Sequence, residues 1–327
     1  MPCAASWPVS AACRWNAATN ARPARAASPG WRPGDRTAGR RTRCSNASCR
    51  TPIHRCRRAT AASSTCCSTD SEKGMTDVPR LVAHRGYLHR YPENTWIALQ
   101  AALEAGACWL EFDVQRCADG HFVLLHDADF ERTAGRKLSV FDVDAATLAG
   151  LSVHEPARLG GRFAPLRPSL LQEVLQRLDD YPAARVMVEI KIESLQHWGL
   201  EPVIDGLLQL LEPHLDRCTL ISFSEAALAQ ARKASPIDIG WVLPRYDREH
   251  LQRARRLRPQ WLICNHRRIP PQSAPERGDW RWMLYQIDDP QQALYWAGRG
   301  VELVETGDIG TLLQHPLLAT RACHHRR

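Results

Sequence analysis

The chain has 327 residues, of which 44% are hydrophobic and 24% are charged, which is typical of one large globular domain or two smaller ones. No stretch approaches the roughly 18 consecutive apolar residues that cross a bilayer, so we expect no stable membrane insertion. The net charge of +8 arises in residues 1–74, which contain 13 basic and three acidic residues, whereas the rest contains 30 and 32. This nearly neutral remainder argues against nucleic-acid binding.

Residues 1–74 are rich in Ala, Arg, Ser, Thr and Pro and show no hydrophobic periodicity. Such a segment buries too little apolar surface to offset the entropy of ordering, so we expect disorder. It lacks the features of a secretory signal, while its composition leaves an organellar transit peptide open. We favour the interpretation that the native chain begins at Met75 and that the segment is a spurious extension. Missing C-x-x-C knuckles disfavour a zinc site built from Cys44, Cys49, Cys56 and His54.

The body of the chain, residues 75–327, has scattered cysteines, at positions 108, 117, 218, 264 and 323. Their spacing suggests no disulfide framework. We therefore expect a reducing compartment and a cytoplasmic location.

From residue 81 onward, short apolar runs alternate with segments of helical period, a pattern typical of parallel α/β proteins. Eight strands are predicted, at 81–84, 108–114, 185–190, 218–222, 239–243, 260–264, 282–287 and 301–305. Asn94 is predicted to cap the first helix, with Gly106 just past its end. Apolar stripes predict further helices over 170–178 and 203–211.

Eight strand–helix units predict a (β/α)₈ TIM-type barrel, in which the active site lies at the C-terminal ends of the strands. An open doubly wound sheet is the alternative, but no glycine-rich phosphate loop follows the first strand. Residues 127–168, which follow a strand-like run at 122–125, are too long for an ordinary loop. We interpret them as a small insertion over the barrel mouth.

Charged residues end four of the apolar runs. They are His84 and Arg85 after the first run, Glu111 and Asp113 on one face of the second, His126 after the run at 122–125, and Glu189 and Lys191 at the next. Each alone is more often ordinary surface, but together they indicate a functional site. Three carboxylates without a soft ligand suit one hard divalent cation, Mg²⁺ or Ca²⁺. Two histidines and two basic side chains beside such an ion fit phosphoryl chemistry.

These residues closely resemble the motifs of the glycerophosphodiester phosphodiesterase family. The resemblance spans about residues 80–310 and rests on His84-Arg85-Gly86, Pro92-Glu93-Asn94-Thr95, Glu111-Phe112-Asp113-Val114, Leu125-His126-Asp127, Arg132-Thr133 and Glu189-Ile190-Lys191. It implies a TIM-type barrel with an insertion after the second strand. It also implies metal-dependent cleavage of a small glycerophosphodiester into glycerol 3-phosphate and an alcohol.

The resemblance assigns roles to individual residues. Glu111, Asp113 and Glu189 would hold the metal. His84 and His126 would be the acid–base pair, with His84 as the base in our assignment, although the sequence does not fix that order. Arg85 and Lys191 would bind phosphate oxygens. Candidate pocket residues are Glu93, Trp198 and Tyr285, and Asn94 is interpreted as structural.

Departures from the family pattern lie near the C-terminus, at Tyr285–Asp288 and Thr306–Asp308. They leave open which alcohol departs, because rim loops set specificity in barrels. One alternative substrate class is a lysophospholipid or sphingolipid diester. A catalytically inactive phosphodiester-binding barrel is a second alternative. The presence of a suitable residue at every expected catalytic position argues against it. The oligomeric state is also left open.

Overall fold

The computed structural model describes residues 78–325. The expectations for residues 1–74, including the zinc possibility, lie outside this part of the chain. Its strands are β1 (Arg80–His84), β2 (Trp109–Arg116), β3 (Phe122–Leu124), β4 (Arg185–Ile190), β5 (Cys218–Ser222), β6 (Asp238–Val242), β7 (Trp261–Asn265), β8 (Arg281–Tyr285) and β9 (Val301–Thr306).

The α-helices of the described chain are short, and most of them follow a strand. They are α1 (Trp96–Glu104), α2 (Glu131–Ala134), α3 (Ala145–Ala149), α4 (Pro156–Leu159), α5 (Leu171–Leu178), α6 (Ile192–Trp198), α7 (Leu200–Leu211), α8 (Glu225–Ala234), α9 (Arg248–Leu257), α10 (Pro290–Ala297), α11 (Ile309–Leu313) and α12 (Pro316–Ala319). Within residues 78–325, none of these helices has the length and apolar character that crossing a membrane requires.

The sheet closes into a barrel, as the sequence predicts. Its order is β1-β9-β8-β7-β6-β5-β4-β2-β3, and an additional β1–β2 pairing joins the two sides. All eight predicted strands are present and run parallel, with ends shifted by no more than about two residues. The TIM-type prediction is therefore confirmed, and the open doubly wound alternative is wrong.

The strand-like run at 122–125 forms β3, which is antiparallel to β2 and is not a barrel strand. β2 continues past the barrel rim to Arg116, and β3 brings the chain back beside it, with Val114 opposite Leu124. The Leu125 N–H donates to the Asp113 carbonyl at 3.1 Å. His126 therefore reaches the barrel mouth from a hairpin rather than from the end of a parallel strand.

The insertion that follows β3 has a small apolar core of its own, to which Phe130, Val140 and Leu148 contribute. It is attached to the loop between β1 and α1: the Arg158 guanidinium donates to the Leu88 and Tyr91 carbonyls, each at 2.7 Å. The predicted insertion is present, whereas its position over the barrel mouth stays a prediction.

The barrel interior is packed with apolar side chains from alternate strand positions, as expected for this architecture. Its closed end is filled by Trp109 and Trp261, whose rings meet edge to face with centroids 5.6 Å apart. The Arg281 guanidinium lies over the Trp261 ring, 3.9 Å from its centroid. Gly240 of β6 leaves room for the neighbouring side chains of Ile221, Ile263 and Trp261.

The start of the first helix differs from the prediction. Thr95, not Asn94, is the N-cap residue, and its side chain accepts a hydrogen bond from the Ala98 N–H. Asn94 has a left-handed backbone, with φ of 53°, and its side chain turns to the strand instead. Gly106, with φ of 103°, ends the helix as predicted.

The cysteine spacing failed to indicate a disulfide that the structure contains, between Cys108 and Cys323. The Cys323 N–H also donates to the Gly106 carbonyl at 2.8 Å, which holds the C-terminal segment against the start of β2. A separation of 215 residues gives no local signal, because the closed barrel brings the two cysteines together. In residues 78–325, Cys117, Cys218 and Cys264 are buried free thiols.

Substitution of Gly240 by Val is expected to lower the free energy of unfolding by about 1–3 kcal/mol, the usual cost of overpacking a core. A Cβ at this position would lie 2.8 Å from Ile221 Cγ2 and 3.0 Å from Ile263 Cδ1. Urea unfolding followed by circular dichroism measures the change. The matched control is Gly161→Val, where a Cβ would meet no heavy atom within 4 Å. Equal midpoints for the two variants would contradict this packing.

Non-reducing peptide mapping is expected to yield a linked peptide pair joining Cys108 to Cys323. The internal control is the set of buried thiols at Cys117, Cys218 and Cys264, which should be alkylated only after denaturation. Recovery of Cys108 and Cys323 as separately alkylated peptides from the denatured, unreduced protein would contradict the pairing.

Candidate active site

A cavity of about 170 Å³ opens at the C-terminal ends of the barrel strands. Strand register explains why distant residues meet there, because His84 pairs with Glu111 and Asp113 pairs with Glu189. The polar residues that line the cavity are His84, Arg85, Glu111, Asp113, His126, Glu189, Lys191, Tyr285, Gln286 and Glu305. The structure thus brings together both predicted histidines, both predicted cations and all three predicted carboxylates.

Oxygen atoms of Glu111, Asp113 and Glu189 lie within 4.8 Å of one another. Lys191 Nζ donates to Glu189 Oε1 at 2.8 Å and lies 3.3 Å from Asp113 Oδ1. Burial alone would raise the pKa of Asp113, but Arg85 and Lys191 outweigh it and lower the pKa. Asp113 is therefore a carboxylate at neutral pH.

The other carboxyl groups are less well compensated. Burial, followed by repulsion from Asp113 and Glu305, raises the pKa of Glu111 well above its usual value. Burial also raises the pKa of Glu189, even though Lys191 opposes the shift. The described basic side chains therefore neutralise only part of the negative charge of these buried carboxyl groups.

Glu305 belongs to the same group and was missed at the sequence level. An oxygen of Glu305 lies within 4.8 Å of ligand atoms of His84 and Glu111. Burial, then repulsion from Glu189, raises the pKa of Glu305 to about 8. The available signal was its place near the end of β9, two residues after the inward-facing Leu303.

The residues present fit a bound divalent cation. Glu111 Oε1 is buried and accepts no hydrogen bond from the described chain. The surrounding donors are carboxylate oxygens, which are the ligands that Mg²⁺ and Ca²⁺ prefer. A divalent ion would supply positive charge that stabilises the ionised forms of Glu111 and Glu189.

Arg85 is held in place by its own unusual backbone. Its φ is 53°, and its N–H donates to Glu111 Oε2 at 3.2 Å. Its side chain extends between two acids, with Nη1 2.9 Å from Glu93 Oε1 and Nε 3.0 Å from Asp113 Oδ2. The next residue, Gly86, has φ of 81°, and a Cβ there would lie 2.5 Å from the Ala98 carbonyl carbon. Glycine is therefore required at that position.

Asn94 orients Asp113 through two hydrogen bonds. Its Nδ2 donates to Asp113 Oδ2 at 2.9 Å, and its Oδ1 accepts from the Asp113 backbone N–H at 3.1 Å. Both residues are almost fully buried. The sequence-level interpretation of Asn94 as a helix cap missed this contact with the site.

His126 is oriented by a chain of charged side chains. Its Nδ1 lies 2.7 Å from Asp127 Oδ1, and Arg132 Nε donates to Asp127 Oδ2 at 2.7 Å. The Arg132 guanidinium also donates twice to Glu93, at 2.7 Å each. Hydrogen bonds from His126 and Arg132 overcome burial and lower the pKa of Asp127. An ionised Asp127 requires the proton on Nδ1, which leaves Nε2 of His126 for a substrate.

Two of the three predicted pocket residues lie away from the cavity lining. Glu93 is buried behind it and joins Arg85 to Arg132. Trp198 donates from Nε1 to the Arg116 carbonyl at 2.9 Å and packs against the insertion. Tyr285 does line the cavity, at the end of β8.

His84 is the second histidine of the cavity. Burial, reinforced by the neighbouring Arg85, lowers the pKa of His84 to about 3. Its Nε2 lies 4.0 Å from Glu111 Oε2. At neutral pH the imidazole is therefore uncharged.

The model of the glycerophosphoryl diester phosphodiesterase family matches residues 84–311. A glycerophosphodiester phosphodiesterase of Bacillus altitudinis is 32% identical over 161 residues, which cover 48% of this chain and 63% of that protein. One of Caldanaerobacter subterraneus is 31% identical over 158 residues, with the same 48% and 63% coverage. The chain thus spans slightly less than two thirds of the length of these curated relatives.

Solved structures share the barrel fold. A phosphodiesterase of Oleispira antarctica, in complex with the product sn-glycerol-3-phosphate, has a TM-score of 0.65 and 23% identity, covering 72% of this chain and 96% of that one. A glycerophosphodiester phosphodiesterase of Parabacteroides distasonis has a TM-score of 0.62 and 19% identity, covering 74% and 98%. Since the family model extends over more than half of the sequence, this chain belongs to the glycerophosphoryl diester phosphodiesterase family.

Proposed function

We propose that this protein hydrolyses glycerophosphodiesters to sn-glycerol 3-phosphate and an alcohol, with one divalent cation, Mg²⁺ or Ca²⁺, as cofactor. The observation that carries the proposal is the convergence of two histidines, two basic side chains and a group of buried carboxylates on one cavity. Family membership supports it. The product bound to the structural relative from O. antarctica is of the proposed class.

Glu111, Asp113 and Glu189 would hold the cation, and Asn94 would keep Asp113 oriented toward it. When bound, the ion would supply positive charge that polarises the phosphoryl group. The burial of Glu305 beside these residues adds a fourth acid to the same region.

Arg85 and Lys191 would neutralise the phosphate oxygens. Arg85 donates from Nη1 to Glu93, and its Nε lies 3.0 Å from Asp113 Oδ2. The N–H donors of Nη2 are then available for the substrate. Lys191 carries three donors on Nζ, and its two carboxylate neighbours occupy no more than two of them. Both cations are thus positioned by carboxylates yet retain donors for an anion.

The two histidines would carry the proton transfers. His84, neutral at physiological pH, would accept a proton from the attacking water as the water oxygen bonds to phosphorus. His126, whose Nδ1 is fixed by Asp127, would donate from Nε2 to the ester oxygen as the bond from phosphorus to the departing alcohol breaks. Arg132 and Glu93 would hold Asp127 in place during this exchange.

The full chain is expected to release glycerol 3-phosphate from glycerophosphocholine and glycerophosphoethanolamine with Mg²⁺ or Ca²⁺, and none with a chelator. A dehydrogenase-coupled assay measures the product. The matched variant Glu189→Gln keeps the side-chain shape but removes one ligand charge, so its activity should fall at least about a hundredfold. The proposal is contradicted if a folded, metal-loaded protein releases no glycerol 3-phosphate. Lysophospholipid and sphingolipid diesters would then be tested as substrates. If neither is cleaved, a catalytically inactive phosphodiester-binding barrel is the interpretation that remains.

Substitution of His126 by Ala is expected to lower kcat on glycerophosphocholine by about 10²–10⁴-fold, because the choline alkoxide leaves poorly without a proton. A p-nitrophenyl diester, whose leaving group needs no proton, should lose far less, and the ratio of the two rates is the measurement. The control is His121→Ala, an exposed histidine outside the cavity lining. Equal losses on both substrates would contradict the acid role of His126 while leaving the hydrolysis itself in place.

A further inference from the structure

A buried amide side chain contacts the segment that carries His126. Gln115 lies on β2, two residues after Asp113, so its side chain leaves the strand on the same face as that of Asp113. Gln115 is fully buried, with 0% of its surface exposed, and it does not line the active-site cavity. A buried amide requires hydrogen-bond partners, and those of Gln115 come from segments outside β2.

The Gln115 amide group links three parts of the chain. Its Nε2 donates to the backbone carbonyls of His126 and Asp127, at 3.3 and 3.4 Å. Its Oε1 accepts a hydrogen bond from the Ser194 hydroxyl at 2.5 Å. Ser194 belongs to α6 and is also fully buried, and its Oγ accepts from the Arg116 N–H at 2.9 Å. The amide therefore connects β2 and α6 to the segment that follows β3.

The surroundings determine which end of the amide faces His126. Because Ser194 Oγ accepts from a backbone N–H, its own hydrogen is available to donate to Gln115 Oε1. The reversed amide would place Oε1 against two carbonyl oxygens, which are acceptors only. Among residues 78–325, no other donor contacts the carbonyl of His126 or Asp127. The two N–H bonds of Gln115 Nε2 thus match two consecutive acceptors.

His126 is held differently from the other polar residues of the cavity, most of which lie on a parallel barrel strand or directly follow one. It comes after β3, the antiparallel strand outside the barrel. The hydrogen bond from the Leu125 N–H to the Asp113 carbonyl holds the chain just before His126. Asp127 fixes the imidazole through Nδ1 but lies in the same segment. The Gln115 amide therefore attaches both His126 and Asp127 to β2.

We propose that Gln115 is a positioning residue for His126, an inference that rests on the proposed hydrolysis and on the acid role of His126 in it. By holding two backbone carbonyls, Gln115 sets the distance between His126 Nε2 and the ester oxygen of the departing alcohol. A displacement of about 1 Å can lower the rate of such a step about a hundredfold. Ser194 contributes by holding Oε1, which keeps the N–H donors directed at the carbonyls.

The variant Gln115→Met tests the proposal, because it keeps the length of the side chain and removes both hydrogen-bonding atoms. We expect kcat on glycerophosphocholine to fall by about 10–100-fold, with KM nearly unchanged. The rate on the p-nitrophenyl diester should fall by a much smaller factor, because that leaving group needs no proton. The ratio of the two rates is the measurement, and circular dichroism checks the fold.

The matched control is Gln260→Met, the same substitution just before β7. Gln260 Oε1 accepts from the Ile239 N–H at 3.0 Å, and Gln260 does not line the active-site cavity. Its loss should leave the ratio of the two rates at the wild-type value.

A second comparison shows whether Gln115 acts through His126. In the His126→Ala background, Gln115→Met should cause no further loss on glycerophosphocholine, because the group that it positions is already absent. The inference is overturned if folded Gln115→Met leaves the rate ratio at the wild-type value, or if its full loss persists in the His126→Ala background.

Should Gln115→Met fail to fold, Ser194→Ala is judged by the same two criteria, since it removes only the hydroxyl that holds Oε1. Failure of the proposed function is distinct from failure of this inference. In that case the wild-type protein itself would release no glycerol 3-phosphate with Mg²⁺ or Ca²⁺, and the inference would fall with it.

Discussion

The compensation of buried negative charge is the constraint on which the mouth of this barrel depends. Four carboxyl groups, from Glu111, Asp113, Glu189 and Glu305, are almost fully buried together. Two basic side chains, Arg85 and Lys191, offset part of that charge and are positioned by doing so. The raised pKa values of three of the acids show how incomplete the balance is. A divalent cation would offset the remaining negative charge, and Arg85 and Lys191 with that ion would then attract a phosphodiester anion to the same cavity.

The regular strands determine where most of these side chains lie along the barrel and which way they point. Irregular backbone conformations determine the positions of the others. Arg85, Asn94 and Gln286 all have positive φ, with values of 53°, 53° and 65°, and all lie at or next to the cavity. Such conformations are costly for residues with a Cβ and persist where surrounding contacts hold them. Here the contacts of Arg85 and Asn94 are hydrogen bonds and ion pairs to Asp113 and Glu111.

Much of this arrangement can be predicted from the sequence, because branched apolar runs locate the strands and paired acids two residues apart share a face. The antiparallel pairing of the run before His126 could not be predicted, because an apolar stretch carries no information on the direction in which it pairs. Glu305 escaped notice because a glutamate within Val301–Thr306 also suits an exposed strand position. Trp198 sits next to a motif in sequence, yet its indole points to a backbone carbonyl elsewhere. These three outcomes depend on tertiary contacts that local pattern does not encode.

The disulfide between Cys108 and Cys323 makes most of the described chain a covalent ring. Every element from β2 to α12 lies inside this ring, whereas β1 and α1 lie outside it. β1 nevertheless pairs with both β2 and β9. It therefore lies between the first and last strands of the ring and contacts them through backbone hydrogen bonds. A single proteolytic cut within the ring would therefore leave both fragments covalently joined until the disulfide is reduced. A cut between α1 and Cys108 would instead remove the covalent link between the ring and β1, the strand that ends at His84 and precedes Arg85.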